Sequence, residues 1–469
     1  MMPIVELPEI VKHYSPWFRS VFTDEALVQF QRYVSGLLVS ENKTVAGINR
    51  IMVHQSRNQS SLNRLLTAAP YSESKLEASR LALLESLPET RLKAKGVLSV
   101  DDTHLLHYGQ KFEQIAVLWD PVQKRYAPAH NLVNLHYSDE QTDYPLAFQL
   151  WKPADLDKLE TGLPEAGIPL RADKVALKES EPKKWRQYLL GVWSRHQDNA
   201  EVAALYESKL LIARRKIAQF KEGHPELTLP VTFDSWYTQP GFCRYLDKEL
   251  NLPYVGTLTD KDQVILKQGD QTLEAFAAQL KEDHLTALKQ GKPPLFGKIT
   301  IPYKGEKETY YAYCRTLRIR KFGKQRLVIN HSKPGLSDTP RFFNTNRLHW
   351  QASGITRIRR HRWPVEVYHQ EGKAEGLDQY QVRDFQAISR HIGLVAVTYS
   401  LLRAAPHDLA LKHKLQRQLK FDLDDSAPAW RRASCAQSLW ALGALISAGL
   451  VQGQSLDDVL SPLLAAVYA

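Results

Sequence analysis

The stretch Val97-Leu98-Ser99-Val100-Asp101-Asp102 decides the fold, because the chain changes period there. Before it, apolar residues recur at helical spacing. Leu27, Phe30, Val34 and Leu37 share one stripe of DEALVQFQRYVSGLLV, and KTVAGINRIMV follows with Thr44 placed to cap it. HQSRNQSSLNRLLTAAPYS and SKLEASRLALLESL continue the helical pattern, with Arg50, Arg57 and Arg64 standing between apolar positions. That arrangement suits either a helix-turn-helix-like DNA reader or a small bundle with a solvated basic face. After Val97 come short runs rich in β-branched and aromatic residues: FEQIAVLWD, NLVNLHYSD and YPLAFQLW, separated by turn-like DPVQKRYAP and SDEQTDYP.

Further on, residues 152–199 are polar, with Pro and Lys clusters, and read as an exposed excursion. EVAALYESKLLIARRKIAQF returns to a helix with Leu210, Ala213, Ile217 and Phe220 on one stripe. LTLPVTFD, FCRYLDKEL and PYVGTL then form a strand–helix–strand unit. KITIPYK, TYYAYCRTLRI and QRLVINH predict an antiparallel sheet over about 260–340, with KGEKE and FGKQ as turns. WQASGITRIRRHRWPVEVYHQEGKAEGL is helical and strongly basic, and apolar helices follow from about residue 384.

The bulk numbers set limits on function. A 469-residue chain with 43% hydrophobic and 24% charged residues supports several packed domains. Its net charge of +11 suits a polyanionic partner. Three separated cysteines, Cys243, Cys314 and Cys435, give neither a disulfide framework nor zinc spacing, which fits a reducing cytoplasm. The N-terminal MMPIVELPEIVKHYSPW lacks the basic start and apolar run of a secretory signal. SLWALGALISAGLV is uncharged but too short to span a membrane, and reads as a buried helix. No Gly-rich phosphate loop, nucleophile elbow or Cys/His metal cluster points to a metabolic enzyme.

Three acids stand in settings that suit a divided metal site: Asp102 closing one strand-like run, Asp234 closing another, and Glu366 on the basic helix. In-line attack on a phosphodiester needs an activated oxygen nucleophile and a stabilised leaving oxygen, which two Mg²⁺ ions roughly 3.5–4 Å apart supply. Mg²⁺ takes hard oxygen ligands and keeps some waters, so two or three carboxylates on rigid elements suffice. Strand alternation lets only one of Asp101 and Asp102 face a given site. Each Asp alone also fits a turn cap. Pro364 suits a first helical turn, after which Glu366, His369, Gln370 and Lys373 fall on one face, with Glu371 as a rival acid on another. Arg357, Arg359, Arg360, Arg362 and Lys373 would neutralise bordering phosphates.

These residues resemble the DDE transposases of the IS4 superfamily, most closely its IS701 family. The third-acid signature of that superfamily is Tyr, two residues, Arg, three residues, Glu, six residues, Lys. Arg362, Glu366 and Lys373 match it in type and spacing, whereas its tyrosine falls on Arg359. SVDDTHLLHYG resembles the first-acid block, and the offset to Tyr108 favours Asp102 over Asp101. VTFDSWY resembles the second-acid block, and RYVSGLLVSENKTVAGINR the N-terminal domain. The resemblance implies an α/β chain whose RNase H-like catalytic core is interrupted by a β-rich insertion, flanked by helical N-terminal DNA-binding and C-terminal regions. The implied division is 1–92 helical and DNA-binding, 93–258 first part of the core, 259–340 insertion, 341–400 second part of the core, and 401–469 C-terminal helices. It implies Asp102, Asp234 and Glu366 as catalytic metal ligands, and DNA contacts from Arg359, Arg362, Lys373, Arg50, Arg57 and Arg64. It further implies Mg²⁺, with Mn²⁺ as substitute, and double-stranded transposon ends and target as partners. A homodimer in a paired-end complex would act in the bacterial cytoplasm, at the nucleoid, without a membrane. The expected reaction is cleavage at terminal inverted repeats and strand transfer by a 3′-OH. An RNase H-type nuclease without strand transfer, or a transposase-derived binding protein without catalysis, would carry much of the same pattern. Trp350 and Trp363 are candidates to stack on an extruded base, or simply to pack.

Overall fold

The computed structural model describes residues 2–53, 58–109, 111–120 and 123–468. Its N-terminal part is helical as expected. Asp24–Val39 buries Phe30, Val34 and Leu37, and Thr23 caps it by accepting the Ala26 N–H at 3.3 Å. Thr44 accepts the Gly47 N–H at 3.1 Å and so begins the helix Val45–Ile51. Gln59–Thr67 and Glu73–Ser86 follow.

The period change at Val97 opens a sheet. Its strands are β1 (Val97–Leu106), β2 (Ala116–Asp120), β3 (Arg125–Ser138), β4 (Asp143–Trp151), β5 (Val231–Phe233) and β6 (Tyr254–Leu258). β1 pairs antiparallel with the long β3, which also pairs with β2 and β4. On the other side, β1 pairs parallel with β5, and β5 parallel with β6, as the strand–helix–strand reading required. β1 runs four residues past Asp102, because β3 continues beside it as far as Ala129 opposite Leu106.

The insertion strands are β7 (Gln263–Leu266), β8 (Gly269–Thr272), β9 (Gly297–Tyr303), β10 (Glu306–Ile319), β11 (Gly323–His331) and β12 (Arg341–Thr345). The β9–β10 turn uses Lys304 at φ 49° and Gly305 at φ 87°, the left-handed pair that a two-residue hairpin demands. The insertion does not form a detached sheet. β12 returns antiparallel to β6, with Phe343 opposite Thr257, so one mixed sheet runs through both parts. Its own apolar core includes Phe276, Phe296, Ile319, Leu327 and Ile329.

Three sequence expectations change. Residues 152–199 are not an exposed excursion. The helices Leu156–Glu165 and Pro182–Arg195 close a separate core of Leu159, Leu163, Trp185, Leu189, Val192 and Trp193, whose helical spacing lies hidden among lysines and prolines. The basic helix is two helices, Ala352–Arg360 and Trp363–Ala374, broken at His361–Arg362, where Pro364 cannot donate into a continuous ladder. The helix Ala427–Val451 is long and apolar enough to cross a membrane by composition, yet most of its buried residues lie in its N-terminal half. Leu439, Trp440, Leu445, Leu450 and Val451 are exposed, so SLWALGALISAGLV is not the buried helix expected. The helix Phe385–Ala404 is buried almost all round.

Candidate active site

Register sets where the acids emerge. Leu98, Ser99 and Val100 pair with Val231, Thr232 and Phe233, and the ladder ends there. Asp101 and Asp234 are the next residue on each strand. Leu98 and Val100 turn into the apolar cluster that holds Ile212, Ala213 and Ile217. Ser99 and Asp101 therefore face the other way. On that face the Ser99 hydroxyl donates to the His361 carbonyl at 3.0 Å, and Asn134, the cross-strand partner of Asp101, bonds His369 Nε2 at 2.9 Å. The Glu366 helix thus lies over the Asp101 side of β1.

The helix break presents the cation. His361 is fully buried, joined to Ser138 Oγ at 2.9 Å through Nδ1 and to Glu140 at 3.1 Å through Nε2. Arg362 follows it, and its guanidinium donates to Asp101 and to Glu366 together. Burial pushes the Asp101 carboxyl up to about 7; Arg362 opposes this, while Asp234 and Asp102 add to it. Glu366 keeps a side-chain exposure of 30%, toward the cleft.

Asp234 does serve as a turn cap. Its Oδ1 accepts the N–H groups of Trp236 at 3.0 Å and Tyr237 at 3.1 Å. One oxygen bonded within the turn leaves Oδ2 for another partner. Asp102 is not brought to Glu366. Alternation turns it to the opposite face, where it accepts from Asn131, from Lys209 at 3.0 Å and from the buried Tyr237 hydroxyl at 2.9 Å. Burial raises its pKa, but Lys209, Asn131 and Tyr237 outweigh that and hold it below the ordinary value. Arg362 joins Asp101 and Glu366, with Asp234 at the adjoining strand exit, while Asp102, the acid expected beside Asp234 and Glu366, makes its contacts on the other face. A parallel-register count from the buried Leu98 and Val100 was the signal in the sequence. It requires knowing that β5 lies beside β1.

Among the described residues, no three Asp, Glu, His or Cys side chains stand close enough to hold a metal ion as placed. The Arg362 guanidinium occupies the space between two of the acids. The donor set still fits a hard divalent cation: all oxygens, on a strand, a strand exit and a helix. A carboxyl pushed up among like charges is also what a nearby cation relieves.

Cations line the adjoining cleft of about 890 Å³, whose walls include Arg341, Arg359, Arg360, Arg362, Trp363 and Glu366. Arg359 donates to Thr257 Oγ1 at 2.9 Å. Burial, Arg362 and Arg341 press its pKa down to about 9. Three crowded guanidinia are relieved by an anion, and Arg forks match phosphate oxygens. Trp363 is 48% exposed on this cleft, whereas Trp350 packs against the cluster of Val255 and Phe343. Arg341 was missed in the sequence, because only the return of β12 beside β6 brings it here. Lys373 lies farther along the helix, within electrostatic reach of His104 and Asp378. His369 is buried, and burial drives its pKa down to about 3, so it stays neutral. Glu371 points inward to Arg403 at 3.1 Å and does not compete for the cleft. Arg50 and Arg64 are exposed on the N-terminal helices, neither lines this cleft, and Arg57 lies outside the described residues.

A mixed α/β fold, with acids on adjacent strands and a third on a facing helix, fits a nuclease fold of the DDE class. The family model described as DDE superfamily endonuclease matches residues 18–299, more than half the chain, and the chain belongs to that family. A second model, described as transposase DDE domain, matches residues 214–401, the span holding Asp234, Arg362 and Glu366. No curated protein matches the chain significantly.

Proposed function

We propose that the chain is the DNA transposase of an insertion sequence, most like the IS701 family, with an RNase H-like core. It binds the terminal inverted repeats of its own element, cleaves there, and joins the freed 3′-OH to target DNA. The observation that carries the reading is Arg362 held between Asp101 and Glu366, beside the strand exit that bears Asp234, in a member of the DDE superfamily. Asp101, Asp234 and Glu366 would hold Mg²⁺ or Mn²⁺. Bound there, such ions supply Lewis-acid activation of the attacking oxygen and charge relief at the leaving oxygen. Arg362 moves from the acids to a phosphate of the bound strand. Arg341 and Arg359 hold neighbouring phosphates across the cleft, and Lys373 extends the basic track along the helix. Arg50, Arg57 and Arg64 of the N-terminal region contact the duplex outside the active site. The exposed apolar half of Ala427–Val451 supports a homodimer across two paired ends, since patches of this kind mark protein interfaces.

The test uses the purified full chain, Mg²⁺ and a plasmid carrying the DNA that flanks its gene. Cleavage at the flanks and a joined product with a short target duplication are expected. Glu366→Gln and Asp101→Asn should each lose both products. Retained cleavage in both variants rejects the site, and cleavage without joining reduces the reading to a nuclease.

A further inference from the structure

The second acid of the Asp101-Asp102 pair has partners of its own: Asn131, Lys209 and Tyr237. The β1–β5 ladder ends at Val100 opposite Phe233, one residue short of Asp101 and Asp234. Among the described residues, no backbone pairing past that point fixes the β5 exit against β1. Two side-chain ties replace it, and both end on Asp102. The Tyr237 hydroxyl donates to Oδ1 at 2.9 Å, and the Tyr237 N–H donates to Asp234 Oδ1 at 3.1 Å. Lys209 donates to Asp102 Oδ2 at 3.0 Å and lies 4.4 Å over the ring of Trp236, the residue whose backbone N–H is the other donor to Asp234. Thr238 completes the turn, its hydroxyl donating to the Asp234 carbonyl at 2.7 Å. Tyr237 is fully buried, so its hydroxyl has no water to fall back on.

We propose that Asp102 is a positioning residue: through Tyr237, and through Lys209 against Trp236, it holds the Asp234 turn at a fixed distance from Asp101. Two consecutive acids on one strand divide the labour by alternation. One faces the cleft, and the other locks the neighbouring strand exit from behind. The inference rests on the metal-site reading above.

The experiment compares full-length Tyr237→Phe, Asp102→Asn and Asp101→Asn. Hydrogen exchange of the 234–239 segment is measured without metal, and Mn²⁺ binding is followed by the spin resonance of free Mn²⁺. Loss of a hydrogen bond to a buried charge should speed exchange of the Trp236–Thr238 amides about tenfold or more in Tyr237→Phe and Asp102→Asn. Peptides of β3 and β4 should be unchanged. The same two variants should need about tenfold more Mn²⁺ for half-saturation, as expected when a ligand loses its support. Saturating Mn²⁺ should restore cleavage in Tyr237→Phe. Asp101→Asn should lose Mn²⁺ binding without loosening the turn. Unchanged exchange in both Tyr237→Phe and Asp102→Asn overturns the inference. So does loss of Mn²⁺ binding in Asp102→Asn with full binding in Asp101→Asn, which makes Asp102 the ligand. The metal-site reading fails separately, if Asp101→Asn and Glu366→Gln both bind Mn²⁺ and cleave normally, because the exchange result needs no metal.

Discussion

Asp143 is a buried carboxylate whose removal should be costly. Its side chain, 2% exposed, accepts from Lys304 at 2.6 Å, from the Tyr399 hydroxyl at 2.8 Å and from Arg403 at 3.3 Å. Burial alone would raise its pKa, but Arg403, Lys304 and His136 hold it well below the carboxylate range. The cluster joins β4, the β9–β10 turn and the helix Phe385–Ala404, and Glu371 brings in the Glu366 helix through Arg403 at 3.1 Å. Asp143→Ala leaves a buried guanidinium short of a partner. Breaking a buried pair from one side costs about 3–5 kcal/mol. Lys304 is 34% exposed and turns to water, and Arg403 keeps Glu371 and Tyr399, so the low end applies. At an unfolding entropy of about 2.1 cal/mol/K per residue, the 469-residue chain shifts by about 1 °C per kcal/mol, so a loss of ~3 kcal/mol lowers Tm by about 3 °C. Lys304→Met should cost under about 1 kcal/mol, as for an exposed partner. The double variant Asp143→Ala with Arg403→Met should melt above Asp143→Ala alone, because the stranded charge is gone. A depressed carboxyl gives stability that is complete above its unfolded value of about 3.9 and lost only below it. The deficit should therefore be the same at pH 6 and pH 8 by scanning calorimetry. A smaller drop than Lys304→Met, or a double variant no better than the single, refutes the reasoning.

Other consequences can be measured together. Arg359→Gln should weaken binding of the flanking DNA and lower the slope of log affinity against log salt by about 0.9, the effect of one phosphate contact; an unchanged slope in a filter-binding series removes Arg359 from the DNA track. His391 is buried between the Tyr33 hydroxyl and the Gly376 carbonyl, each at 2.8 Å, and burial holds its pKa at about 4. The unfolded chain then binds the extra proton, so stability should fall as pH drops from about 6.5 toward 4, and His391→Gln should flatten that slope in urea unfolding. A Cβ on Gly256 would meet Asn344 Oδ1 at 2.8 Å, Thr238 Oγ1 at 2.9 Å and Phe233 at 3.0 Å. Gly256→Ala should therefore disturb the Asp234 turn and cut cleavage about tenfold or more, for a displacement near 1 Å; normal kcat at unchanged Tm counts against that turn.

Most secondary structure was legible because periodicity reports burial directly. Phe30, Val34 and Leu37 declared a helix, and the runs around Val97, Leu118 and Leu135 declared strands. The Arg362-to-Glu366 interval was equally local, since four residues on one helix face need no tertiary information to meet. Composition misled where it hid spacing. The lysines and prolines of 152–199 concealed a packed core, and the lack of charge in SLWALGALISAGLV suggested burial that the packing does not provide.

The sequence by itself determined which acids were available, that Asp101 and Asp102 must diverge, and that Arg362 and Glu366 share a face. Only the tertiary structure decided which of the two aspartates stands on the Glu366 face. Alternation names two faces, but which face meets Asp234 and Glu366 depends on β5 lying parallel to β1 in one register and on the broken helix crossing one side of the sheet. Those pairings join residues more than a hundred positions apart. They follow from the packing of whole layers, which no local pattern encodes.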